Sequence, residues 1–78
     1  MSDELLKHIT MDPAVMLGKP VIKGTRITVE HIMRELANGW TMVDFLDAYP
    51  HLTEKDIRAA CAYAAATLRD ERILIDAD

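Results

Sequence analysis

A single cysteine in 78 residues excludes any disulfide within the chain. A disulfide-stapled secreted scaffold is therefore out, and a lone Cys61 fits a reducing cytosol. Aromatic residues are scarce: only Trp40, Phe45, Tyr49 and Tyr63. The core must therefore be mostly aliphatic, helped by five methionines and an alanine-rich segment. No hydrophobic run approaches the roughly 20 residues that a membrane-spanning helix needs. Met1 to Lys7 is acidic and has no apolar signal core, so the expectation is a soluble, cytoplasmic protein with no membrane role. There is no internal repeat, low-complexity tract or linker, and the strand–glycine loop–helix motif that cradles phosphate is missing. His8, His31 and His51 are far apart and lack metal-ligand spacing. Asp44 and Asp47 read as a helix start and a solvated face. Cys61 reads as a core thiol on an apolar helix face. No cofactor, metal site or catalytic constellation is expected, and the chain is not expected to be an enzyme.

Half of the residues are hydrophobic, which is ample for a core and too many for a disordered chain. A domain this short buries only about 60% of its unfolded surface. Pairing with itself or with a partner is the usual remedy, and a homodimer is expected.

Charge is unevenly placed. The chain carries a formal −4, yet residues 13–29 contain no acid. Residues 1–27 hold four basic and three acidic side chains, a sum of +1; residues 28–78 hold five and ten, a sum of −5. Lys19, Lys23 and Arg26 form a cationic stretch on an otherwise acidic body.

The pattern predicts small β elements over 8–27, then helices at about 28–38, 41–48 and 53–69. His8–Met11 alternates and closes at Asp12-Pro13; Pro20–Ile22 and Arg26–Ile27 read as two more short strands around a Lys23-Gly24 turn. Thr28 is an N-cap, followed by Val29, Ile32, Met33, Leu36 and Ala37 at amphipathic spacing. Gly39 ends that helix, and Trp40 plugs the seam that follows. Thr41 with Asp44, and Thr53 with Asp56, read as capping boxes. Pro50 separates the last two helices. Ile57, Ala60, Cys61, Ala64 and Leu68 mark the inner face of the last helix. Met11, Met16, Met33 and Met42 read as adaptable core.

The expected fold is mainly α with short β elements. It is a three-helix, helix-turn-helix-like (winged-helix-like) domain preceded by a small β-hairpin, in one domain over 1–78. Gly18-Lys19-Pro20-Val21-Ile22-Lys23-Gly24-Thr25-Arg26-Ile27-Thr28-Val29, then Gly39-Trp40-Thr41, then Tyr49-Pro50-His51-Leu52-Thr53-Glu54-Lys55-Asp56-Ile57 resemble the signature of the domain of unknown function 433 family. The resemblance runs over roughly residues 8 to 68. It implies a helix-turn-helix-like fold and an antitoxin of the VapB kind, from a type II toxin–antitoxin pair. Such a protein dimerises, binds its own operator DNA and neutralises a toxin of PIN-like nuclease fold.

The residues themselves leave two readings of Arg26. It contacts phosphate or a guanine edge, or it pairs with a helix acid and holds the hairpin. Lys19, Lys23 and Arg26, with Lys55 and Arg58 on the last helix, are the candidate DNA contacts. Ala62, Ala66, Ile73, Leu74 and Ile75 are the candidate partner-binding residues. The alternative function is a protein-interaction or dimerisation module with no DNA role.

Overall fold

The computed structural model describes residues 3–70. A one-turn helix α1 (Asp3–Leu6) leads into strand β1 (Ile9–Thr10). A 3-10 turn (Met16–Gly18) follows, then strand β2 (Val21–Ile22). Helices α2 (Val29–Ala37), α3 (Met42–Ala48) and α4 (Glu54–Asp70) complete the described chain. The result is mainly helical, with four helices and one antiparallel two-stranded sheet pairing Ile9 with Ile22 and Thr10 with Val21.

Three threonines start three helices, each by the same chemistry. Thr28 Oγ1 accepts from the His31 N–H at 2.9 Å. Thr41 and Asp44 cap one another reciprocally, the Thr41 N–H reaching Asp44 Oδ2 at 2.7 Å. Thr53 and Asp56 repeat the arrangement at 3.0 and 3.2 Å. Each cap satisfies donors that a helix start leaves free.

The core is Ile22, Val29, Ile32, Phe45, Leu52, Ile57 and Ala60, drawn from β2, all three longer helices and the α3–α4 link. Phe45 is wholly buried, and Trp40 stands edge-on to it at 5.0 Å between ring centroids. Trp40 thus fills the seam between α2 and α3, with Tyr49 at 6.4 Å beyond it.

Several expectations are corrected. Arg26–Ile27 is not a strand. Lys23–Arg26 is consumed by the loop, leaving one Ile22 N–H to Ile27 C=O bond at 2.9 Å and a single bridge between Val21 and Thr28. Helix α1 was not expected, because one turn is too short to show periodicity; it packs its half-buried Leu5 and Leu6 side toward α4. Cys61 is exposed rather than core. The buried face of α4 runs from Ile57 through Ala60 to Ala59 and Tyr63. Cys61 lies one residue step, about 100°, beyond Ala60 on the open side. Partial desolvation raises the Cys61 thiol pKa, which disfavours the reactive thiolate. Leu68 is exposed as well. Met33 and Met42 do pack against the core, but Met11 and Met16 are exposed.

One side-chain contact ties the residue before β1 to the long helix. His8 Nδ1 meets Asp56 Oδ1 at 2.8 Å, with the Asp56 side chain 14% exposed. Burial pulls the Asp56 pKa up, but the His8 hydrogen bond and those from the Thr53 N–H and hydroxyl outweigh it. The carboxyl is held below its ordinary 3.8. A depressed carboxylate adds stability that is complete above its unfolded pKa and lost as pH falls through its folded one. Asp56→Asn should therefore flatten the acid limb: its unfolding free energy in urea will fall less than the wild type's as pH drops below about 4. Parallel limbs would remove Asp56 from the acid response.

Candidate functional site

The Gly24–Thr28 segment is a short machine for presenting one guanidinium. Gly24 sits at φ +82°, which a side chain would strain. The Thr25 hydroxyl donates to the Ile22 carbonyl at 2.8 Å and accepts from the Ile27 N–H at 3.0 Å. The Lys23 N–H donates to the His8 carbonyl at 2.7 Å, pinning the loop to the strand before it. Ile27 packs on the core and Thr28 caps α2. Arg26, held between them, is exposed and has no ion pair among the described residues. This removes the reading in which Arg26 bonds a helix acid within the described fold.

Arg26 stands on a ridge between two clefts. One, of about 410 Å3, is lined by Met16, Lys19, Arg26, Ile27, Thr28, Glu30, His31, Arg34 and Tyr49. The other, of about 470 Å3, is lined by Asp12, Val15, Thr25, Arg26 and neighbours. The first cleft gathers three cations against one carboxylate. That carboxylate, Glu30, is shared: Lys19 Nζ lies 3.3 Å from Oε1 and Arg34 Nη2 lies 2.8 Å from Oε2. All three side chains are more than half exposed, so these pairs contribute little and an incoming anion can displace them.

The cleft also holds a pair that sequence reasoning missed. His31 Nε2 and Tyr49 Oη are 2.9 Å apart, with the rings edge-on at 6.1 Å. His31 is half-buried, not on a plain solvent face. The two are 18 positions apart, His31 on α2 and Tyr49 at the C-cap of α3, so no local spacing signals their meeting. Arg34 was legible only as the i,i+4 partner of Glu30.

The structure brings Lys19 and Arg26 together and leaves the other candidates elsewhere. Lys23 is exposed and lines neither cleft. Lys55 and Arg58 lie in the first turns of α4, also outside both clefts, and Arg58 Nη2 is paired to Glu54 Oε1 at 2.8 Å. Ala62 and Ala66 are half-buried on α4. Ile73, Leu74 and Ile75 lie outside the described residues. Among the described residues no group of three or more His, Cys, Asp or Glu could hold a metal ion, and no helix is long and apolar enough to cross a membrane. One ammonium, two guanidinium forks, an imidazole and the Glu30 carboxylate line this cleft, and the guanidinium forks and ammonium are groups that can hold an anion.

Comparison with known proteins agrees with this architecture. A crystal structure of a DUF433 member protein from Anabaena variabilis superposes with a TM-score of 0.77 at 30% identity, covering 86% of this chain and 66% of that one. An uncharacterized protein of Sinorhizobium fredii, y4eO, is 37% identical over 65 residues, which is 82% of this chain. This chain spans only 29% of that relative's length. Residues 9–64, from β1 well into α4, match the family described as a protein of unknown function, DUF433, and the chain belongs to that family.

Proposed function

We propose that this chain is an antitoxin-type regulator that binds operator DNA through the Lys19–Arg26–Arg34 cleft and, as a dimer, neutralises a PIN-like toxin. One observation carries the DNA part: three cations from three separate segments converge on a single cleft, and the most rigidly presented of them, Arg26, has no internal acid among the described residues. Phosphate is the anion that such a cluster of forks and a point charge fits. Helices α3 and α4, joined around Pro50, are the helix-turn-helix-like pair of this reading. Contacts from α4 are secondary, because Glu54 and Asp56 stand at its first turn and Glu54 occupies Arg58.

The test is a fluorescence-anisotropy titration of DNA from upstream of the gene at rising salt. Log affinity should fall linearly with log salt. Lys19→Ala should lower the slope by about 1, as expected for one lost phosphate contact, while Lys55→Ala leaves it unchanged. No binding at low salt would sink the DNA reading. In the toxin arm, co-expression with the PIN-like partner should yield a stoichiometric complex in which the nuclease is inactive.

A second reading, a dimerisation or protein-interaction module without DNA, is favoured by the exposed Val43 of α3 and Leu68 of α4. It predicts a concentration-dependent dimer that Leu68→Ser weakens, with no salt-dependent DNA affinity.

A further inference from the structure

The loop between β1 and β2 holds the least expected backbone in the described chain. Met16, Leu17 and Gly18 lie consecutively in the left-handed region, at φ 49°, 58° and 80°. Glycine belongs there; methionine and leucine do not. The turn is nevertheless tightly tied. The Val15 N–H donates to the Asp12 carbonyl at 2.8 Å, the Gly18 N–H to the Val15 carbonyl at 3.1 Å, and the Lys19 N–H to the Met16 carbonyl at 3.1 Å. The Ala14 N–H donates to Asp12 Oδ1 at 2.9 Å. Pro13 and Pro20 stiffen its ends.

What this strained turn displays is apolar. Leu17 is 91% exposed and Met16 43%. An exposed leucine alone means nothing. A leucine held in a strained conformation, by a rigid turn, out in water, contributes nothing to the core that would offset its strain; strain of this kind gathers at sites of function. Its surroundings indicate what it meets. Met16 lines the same cleft as Lys19, Arg26 and Arg34, whose one acid, Glu30, is taken up by Lys19 and Arg34; Asp12 opens the turn with its carboxylate bonded to the Ala14 N–H, and residues 13–29 contain no acid. An apolar knob flanked by cations complements a ligand whose outside is phosphate and whose inside is stacked and apolar.

We propose that the Met16–Leu17 knob is a wedge that inserts between base steps of duplex DNA while Lys19, Arg26 and Arg34 hold the adjoining phosphates. Proteins that bend DNA use leucine and methionine in this way, unstacking a step to kink the duplex. Flexible TA and CA steps are the cheapest to open. The rigid turn limits the entropy lost on insertion. The wedge rests on the DNA reading above and adds to it a site, a mode and a preference for deformable steps.

The experiment titrates the full-length protein into a short duplex carrying 2-aminopurine beside a TA step, reading anisotropy and 2-aminopurine fluorescence together. Wild type should bind with a salt-dependent affinity and raise the fluorescence several-fold. Leu17→Asn keeps a residue that tolerates the left-handed region but removes the apolar tip; Leu17→Gly removes the side chain without adding strain. Both should fold with an unchanged circular dichroism spectrum. They should bind roughly 10-fold or more weakly, with the salt slope retained and the fluorescence flat. Leu17→Met should behave as wild type. If wild type binds with a normal salt slope, the fluorescence stays flat and both variants bind equally well, the wedge is overturned while the phosphate contacts stand. If wild type binds no duplex at low salt, the DNA reading falls and takes the wedge with it.

Discussion

Phe45→Ala should remove a large share of the protein's folding stability. Phe45 has no exposed surface, and it sits where β2, α2, α4 and the α3–α4 link bring Ile22, Ile32, Ile57 and Leu52 into one cluster. Truncating a buried phenylalanine to alanine costs about 3–5 kcal/mol, the lost transfer energy plus the cavity left behind. A chain of 78 residues has a total stability of only about 4–12 kcal/mol at typical per-residue values. The edge-on contact with Trp40 at 5.0 Å is lost as well, and such pairs add about 0.5–1.5 kcal/mol beyond area burial. In a domain of this size each kcal/mol shifts the melting temperature by about 4–8 °C, so a drop of more than about 12 °C is expected by differential scanning calorimetry. Phe45→Leu, which keeps much of the apolar volume, should lose far less. A melting temperature for Phe45→Ala within a few degrees of wild type would show that the core is not organised around this ring.

The legible parts of the fold are those written in local chemistry. Thr28, Thr41 and Thr53 each precede an amphipathic run, and each caps a helix because its hydroxyl reaches a backbone N–H three positions on. Asp44 and Asp56 complete two of those caps, again within three residues. What the pattern does not carry is direction on the far side of a helix. Cys61 and Ala60 are neighbours in sequence, and only the position of the remaining core decides which of them is covered. Ala59 and Tyr63 draw the buried face one way, and Cys61 is left in water. The short α1 and the left-handed conformation of Met16 and Leu17 were illegible for a related reason. Neither has a period, and nothing in the residue types Met-Leu signals a positive φ.

The candidate site was half legible. A cationic, acid-free stretch announces Lys19 and Arg26, but charge along a chain does not say which cations face one another. Lys23 is only three residues from Arg26 and lines neither cleft, whereas Arg34, eight residues away on α2, shares one. The His31–Tyr49 pair is a tertiary contact between α2 and the C-cap of α3 and leaves no trace in spacing. His8–Asp56, 48 positions apart, is invisible in the same way.

Under the proposed DNA-binding role, Arg26→Glu should be the most damaging single change to binding. The side chain is exposed and unpaired among the described residues, so its replacement should move stability by no more than about 0.5 kcal/mol. The fold is thus left as a control on the function. At the ridge, the change replaces a guanidinium by a carboxylate, and the first cleft goes from three cations and one acid to two of each. A phosphate there loses a bidentate donor and gains a like charge at contact distance. Duplex affinity at low salt should fall roughly 100-fold, about 2.7 kcal/mol, and the salt slope should drop by about 1 or more. Arg26→Lys separates the two causes, since it keeps the charge and loses the planar fork. An intermediate loss for lysine means that fork geometry matters, and near-wild-type binding means that charge alone suffices. Unchanged affinity and slope in Arg26→Glu would remove the cleft from DNA binding. The rigid staging of Arg26 by Gly24, Thr25 and Ile27 would then have to serve an acidic protein surface, and loss of the toxin complex in the same variant would identify it.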